Sequence, residues 1–261
     1  YKNLDELNRV SAWIKEQMQL LGVPCHYQNF TANQQIYRNV VCSLNVGRAD
    51  RVIVGAHYDV FGDQDGADDN ASGVAGVIET ARILAEQKSK LPNNVDFVFY
   101  SLEEPPFSKT EQMGSYVHAK SVQSQKDKIK GVYILEMIGF FSEQPIQSYP
   151  VGLKWIYPTH GNFIATVSNV SSRDLGAGYC TAMQQLDLLE CQRLVAPSFA
   201  NAFDFSDHLN YWEFDIPAVM ITDTAFYRNG HYHTKADRLA TLNLTKMANV
   251  IDGLVQHLLK P

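Results

Sequence analysis

Short, nearly all-apolar segments alternate along most of this chain with helix-like stretches of ten or more residues, and that alternation limits the folds open to it. Residues 51–56 (RVIVGA), 95–102 (VDFVFYSL), 131–135, 188–195 and 217–222 read as strands, the first apolar enough to be buried on both faces. Residues 71–84 and 111–122 read as helices, a further helix is expected over 163–185, and 244–259 closes the chain. At the front, Leu4, Leu7, Val10, Trp13, Ile14, Met18 and Leu21 fall near a helical period, and Gly22 and Pro24 end it. Strands that alternate with helices of this length build a mainly parallel sheet covered on both sides. The expected fold class is therefore α/β, a three-layer α/β/α sandwich around a mixed, mainly parallel sheet, with residues 1–261 forming one domain.

Between the first helix and RVIVGA, residues 25–30 and 37–42 fit an antiparallel hairpin. The register that sets Phe30 opposite Tyr37 also sets Cys25 opposite Cys42, so a disulfide there stands beside the alternative of two buried thiols. With four cysteines and no C-x-x-C spacing, neither a disulfide scaffold nor a thiolate metal site is expected. Charge excludes other classes. A net charge of −6 without a basic block argues against a nucleic-acid partner. The most apolar run, 132–141, is broken by Glu136, so no membrane span is expected, and residues 1–21 read as a charged helix rather than a secretion leader.

In open α/β sheets the ligand site forms beyond the carboxyl ends of the strands. RVIVGA is followed by His57 and Asp59, VDFVFYSL by Glu103 and Glu104, the strand at 131–135 by Glu136, and the strand at 217–222 by a loop with His231 and His233. Asp68 and Asp69 stand in the turn GADDNASG that leads into the helix at 71–84. Carboxylates gathered this closely raise one another's pKa unless a cation holds them. Two Zn²⁺ would be balanced by Asp69, Glu104, Glu136 and a hydroxide, with His57 and His233 as neutral ligands. Asp59 is placed to accept the second ring N–H of His57, and Glu103 is the candidate general base.

His57-Tyr58-Asp59, Asp69 twelve residues later in GADDNASG, then SLEE, YILEMIG, Ser206-Asp207-His208 and Tyr232-His233-Thr234 occur in this order. The set resembles the co-catalytic dizinc aminopeptidases, from about Leu4 to the C-terminus. The resemblance implies that Asp69 bridges two metals, that Glu104 and His233 complete one site, and that His57 and Glu136 complete the other. It makes Glu103 the general base and Tyr232, with Tyr227 as the fallback, a donor to the oxyanion. A peptide substrate, a monomer and a periplasmic or secreted location also follow from it. This chain departs from the pattern at Glu136, where the best-known members often have Asp, so occupancy of the second metal position is the question it raises. It also places Pro105-Pro106-Phe107 directly after the glutamate pair, for which the sequence offers only a rigid pocket loop.

Blander readings stand beside these. His26, His118, His160 and His257 read as surface or internally satisfied residues, and Asp68 as a turn or cap residue rather than a ligand. Asp207 and His208 either cap a helix or, with Ser206 bonding Glu136, support the site. Phe140, Phe141, Phe203, Phe205 and Phe226 either form an apolar specificity pocket or pack the core. The competing function is a glutaminyl cyclase, a related one-zinc transferase on the same fold; GADDNASG and the paired His57 and His233 favour the hydrolase. A degenerate binding module would lack ligands that are all present here. The absence of G-x-S-x-G, H-E-x-x-H and G-x-x-x-x-G-K-[ST] disfavours a serine hydrolase, a helix-borne zinc protease and a P-loop nucleotidase.

Overall fold

A computed structural model describes residues 2–150, 153–196 and 205–260. Its order is α1 (Leu4–Leu20), β1 (Cys25–Ala32), β2 (Gln35–Leu44), β3 (Arg51–His57), α2 (Gly73–Glu86), β4 (Asn94–Tyr100), α3 (Gly114–Val122), β5 (Ile129–Glu136), β6 (Phe163–Asn169), α4 (Arg173–Leu186), β7 (Glu190–Ala196), α5 (His208–Glu213), β8 (Ala218–Thr222) and α6 (Leu244–Leu258). The eight strands form one sheet in the order β1-β2-β4-β3-β5-β8-β6-β7. Its centre, β4-β3-β5-β8, is parallel, while β2 meets β4 and β6 meets β8 in antiparallel fashion.

Strand alternation sorts the core into two layers. On β3, Val52, Val54 and Ala56 face a cluster built with Ile14 and Met18 of α1, Val77 and Leu84 of α2, Tyr179 of α4 and Leu254 of α6. Ile53 faces the other way, with Val98, Val132 and Ile134, towards Ala119 of α3 and Tyr211 of α5. The result is the three-layer sandwich that the alternation predicts, with unequal helical layers. The thinner pair, α3 and α5, packs over β2, β5 and β8.

The hairpin forms in the expected register, and Cys25 pairs with Cys42 as strand partners and as a disulfide. A second disulfide, Cys180 to Cys191, ties α4 to β7. The sequence reading lacks it because a helix-to-strand bridge has no register to reveal it. The helix expected over 163–185 is instead strand β6 followed by α4. FIATVSN is buried almost throughout, so periodicity could not separate strand from helix, and its β-branched residues pair with β7 and β8. The Asn169 side chain then accepts from Ser172 N–H at 2.9 Å where the chain turns into α4. Similarly, the helix expected from residue 111 starts at Gly114, whose N–H donates to the Ser101 carbonyl at 2.8 Å.

Candidate metal centre

The four parallel central strands all end at one edge, and the chemically active residues follow from that. His57 and Glu136 are the last residues of β3 and β5, Glu103 and Glu104 come just after β4, and His233 lies in the loop after β8. Asp69 sits between β3 and α2, in a turn held from several sides. Its N–H and that of Asp68 donate to the two oxygens of Asp237 at 3.1 and 2.8 Å. Asn70 donates to the Leu135 carbonyl at 2.9 Å and accepts from Met137 N–H at 3.0 Å, which couples the turn to the end of β5. Gly66 opens the turn with a left-handed φ of 59°, where an added Cβ would stand 2.5 Å from the Asp69 carbonyl oxygen.

The two oxygens of Asp69 face different partners. Oδ1 lies 3.4 Å from Nε2 of His57, which is 3.3 Å from Oε2 of Glu136. Oδ2 lies 3.1 Å from Nε2 of His233, which is 3.3 Å from Oε2 of Glu104. Two donor triads, His57–Asp69–Glu136 and Asp69–Glu104–His233, thus share one carboxylate. Both Nε2 atoms and Oε1 of Glu104 are buried without a hydrogen-bond partner. Nδ1 of His57 is 3.1 Å from the Asp59 carbonyl oxygen, which can only accept; Nδ1 therefore carries a proton, and Nε2 is the nitrogen turned towards the acids.

The Asp59 carboxylate stands where expected, Oδ1 3.5 Å from Nδ1 of His57, and does more. Its oxygens also accept the N–H groups of Glu103 and Glu104, each at 3.1 Å, so one residue fixes both the glutamate pair and His57. Ser206 donates to Oε2 of Glu136 at 2.7 Å. Asp207 stands at the start of α5 without capping it, and burial pushes its carboxyl up to about 7, with Glu136 and Asp59 adding and His57 opposing. Asp68 caps nothing either: it accepts from Gly139 N–H at 2.9 Å and from the Asn229 amide at 2.7 Å, tying three loops behind the site.

Charge in this cluster is unbalanced. Burial raises the Glu103 carboxyl well above its ordinary range; His57 opposes this, and the charges of Glu136, Asp207 and Glu104 add to it. Burial alone would raise Asp69, yet the bonds to His233 and His57 bring it down to about 2. Burial disfavours a charge on His233, but Asp69 and Glu104 outweigh it and carry the imidazole up to about 9. Protons are thus drawn to nitrogens that face carboxylates, the places divalent cations would take. Imidazole nitrogen with carboxylate oxygen is a donor set that suits zinc, and each triad has three members, leaving room for a further ligand. The residues present fit two such ions.

Tyr232 stacks on the His233 ring at 3.7 Å between centroids, and Phe61 lies parallel to that ring at 4.1 Å. The acids open into a cavity of about 360 Å³ lined by Tyr232, Tyr227, Phe205, Phe226, Phe163 and Met220 among others. Phe140 and Phe141 are not on its wall, and Phe203 lies outside the described residues. The cavity floor follows from strand register: Glu136 pairs with Thr222, Thr222 with Ala165, and Ala165 with Gln192, one row across β5, β8, β6 and β7. Sequence reasoning missed Asp237, Phe61 and the buried Gln147, which accepts from Nε of Arg228 at 2.8 Å. Asp237 follows His233 by four residues, but nothing in the sequence links it to amides so far up the chain.

Known proteins bear on this geometry. Uncharacterized protein YfbL of Escherichia coli (strain K12) is 41% identical over 97% of this chain and 80% of its own length. The solved structure of the Legionella pneumophila LapA aminopeptidase superposes with a TM-score of 0.73 at 20% identity, over 95% of this chain and 63% of that one. The Porphyromonas gingivalis glutaminyl cyclase reaches 0.72 at 18% identity, over 96% of this chain and 88% of its own. This chain therefore spans less than two thirds of the LapA chain, and both likenesses concern the fold. The model for peptidase family M28 matches residues 39–258, nearly all of the sheet and every residue of both triads. The chain belongs to peptidase family M28.

Proposed function

We propose that this peptide hydrolase is a zinc-dependent aminopeptidase that removes N-terminal residues from peptides. The observation that carries the reading is the sharing of Asp69 between two donor triads, with Glu103 beside them on the wall of one cavity. His57 and Glu136 would hold one zinc, Glu104 and His233 the other, and Asp69 both; bound there, they would polarise the scissile carbonyl and acidify water. Glu103, Oε2 of which is 3.9 Å from Nε2 of His57, takes the proton of the attacking water and passes it to the leaving amine. The Tyr232 hydroxyl, kept protonated by burial, donates to the developing oxyanion. Ser206 orients Glu136, and Asp207 adds to the field that keeps Glu103 basic.

Residues 1–261 act as one catalytic domain and a monomer, without nucleic-acid or membrane partners; among the described residues no helix is long and apolar enough to cross a membrane. The two disulfides support a periplasmic or secreted location.

Mass spectrometry of free-amine peptides incubated with the zinc-loaded protein tests the reading. Stepwise loss of N-terminal residues, stopped by chelator and restored by zinc, is expected. Loss of ammonia from a peptide with N-terminal Gln, with no other product, would make the protein a cyclase instead. Glu103→Gln should keep two zinc ions per chain by elemental analysis and lose about 10²–10⁴-fold in kcat; near-normal turnover would remove Glu103 as the base.

A further inference from the structure

The two imidazoles of the centre are held by different means. Asp59 fixes His57, with its carbonyl oxygen 3.1 Å and its carboxylate 3.5 Å from Nδ1. No group among the described residues bonds Nδ1 of His233, whose side chain is partly open to solvent. Its backbone takes a left-handed φ of 56°, uncommon outside glycine. Packing must therefore keep its Nε2 on Asp69 and Glu104. Tyr232 lies 3.7 Å from the ring centre at an interplanar angle of 17°, and Phe61 lies 4.1 Å from it at 3°. Two rings this close and this nearly parallel can only occupy opposite faces, so the imidazole is clamped.

Tyr232 comes with His233 as its chain neighbour. Phe61 arrives independently, in the loop that leaves β3, two residues past Asp59. It is 37% exposed and does not line the cavity, so neither core packing nor substrate contact accounts for its place. The same loop meets the segment after His233 through two exposed ion pairs, Asp63–Lys235 at 3.7 Å and Asp65–Arg238 at 3.8 Å. Exposed pairs of this length hold little, which leaves the stacked ring as the loop's firmest contact with His233.

We propose that Phe61 is a positioning residue: its ring holds the His233 imidazole in the plane from which Nε2 serves a cation shared with Asp69 and Glu104, and so sets how long that ion stays. An imidazole that carries part of a cation's charge is the better partner for a π face, so stacking and metal binding support one another. Loss of the ring should act on this ion and spare the one at His57, Asp69 and Glu136.

The inference rests on the zinc site of the aminopeptidase reading but not on the reaction, so metal binding tests the one and peptide release the other. Zinc release into excess chelator and zinc affinity by dye competition are measured on the loaded native chain, Phe61→Ala, Phe61→Leu, Phe61→Tyr and Asp63→Asn. The ion in question is the one lost in His233→Ala. Phe61→Ala should speed its release and weaken its binding by about tenfold, while the other ion keeps its rate and shows that the fold is intact. Phe61→Tyr should restore both values, Phe61→Leu should recover only a minor part, and Asp63→Asn should change them by no more than about twofold.

An ion held as firmly in Phe61→Ala as in the native chain would overturn the proposal. So would equal weakening of both ions, since Phe61 would then support the whole edge of the sheet. Full recovery with Phe61→Leu would make bulk the cause instead of an aromatic face, and an Asp63→Asn effect as large as that of Phe61→Ala would make it the loop's tether; either result removes the stacking role. If no peptide loses a residue, the aminopeptidase reading falls, and the chelator and dye measurements still decide the role of Phe61.

Discussion

The two donor triads share Asp69 yet sit in different surroundings. His57, Asp69 and Glu136 are buried, with the imidazole fully enclosed, whereas His233 of the other triad keeps 20% of its side chain exposed and stacks between Phe61 and Tyr232 at the cavity wall. The enclosed triad is braced by protein on every side: Asp59 holds His57, and Ser206 holds Glu136. The open triad is braced mainly by aromatic stacking. An ion in the first should therefore be slow to exchange, and one in the second should answer to solvent and ligand.

The strongest way to break this comparison is to remove what the triads share. Asp69→Asn should cost both zinc ions and at least about 10³-fold in kcat/KM, because a neutral amide cannot hold two cations among the remaining acids; elemental analysis that still finds two ions would remove Asp69 as the bridge. Next in size, zinc release into excess chelator should be biphasic, and His233→Ala should delete the fast phase while keeping the slow one. A single phase in the native enzyme would erase the distinction between open and enclosed triads. Ser206→Ala should weaken only the slowly exchanging ion, by about 10–100-fold, as read by competition with a zinc dye.

The smallest effect lies outside both triads and sets the background for them. Burial holds His118 down to about 3, with His26 and Arg51 adding, and His257 down to about 4, with Lys260 adding. Their folded values lie below the unfolded one, near 6.5, so their contribution to stability is complete above about pH 6.5 and is lost as pH falls towards 4. Thermal melts of metal-free protein should drop by several degrees over that range, and His257→Gln should flatten the drop by about 2–4 °C. An unchanged slope would assign the acid sensitivity to the carboxylate cluster instead.

Most of this organisation is legible in the sequence because strand ends are legible. RVIVGA and VDFVFYSL can only be buried strands, and whatever follows a parallel strand shares an edge with whatever follows its neighbours; His57, Glu103, Glu104 and Glu136 come together on that ground alone. The reading fails where contacts depend on tertiary register. FIATVSN looked helical until β7 and β8 paired with it. The Cys180 bridge to Cys191 went unseen because a link from helix to strand has no register to reveal it. Asp59 was assigned to the imidazole it does face, but the two amides its carboxylate also serves, 44 and 45 residues away, went unseen. Asp237 was missed because its partners are backbone amides, which leave no signature in side-chain spacing.

The reversal of chain direction at β6 and β7 has an evolutionary consequence. Metal ligands hang from segments leaving the parallel strands, whereas the floor beyond Thr222 is made where β6 and β7 begin. Catalytic power and substrate preference are thus written on separate stretches of chain. A lineage could exchange residues such as Ala165 or Gln192 and change its diet while leaving its chemistry intact.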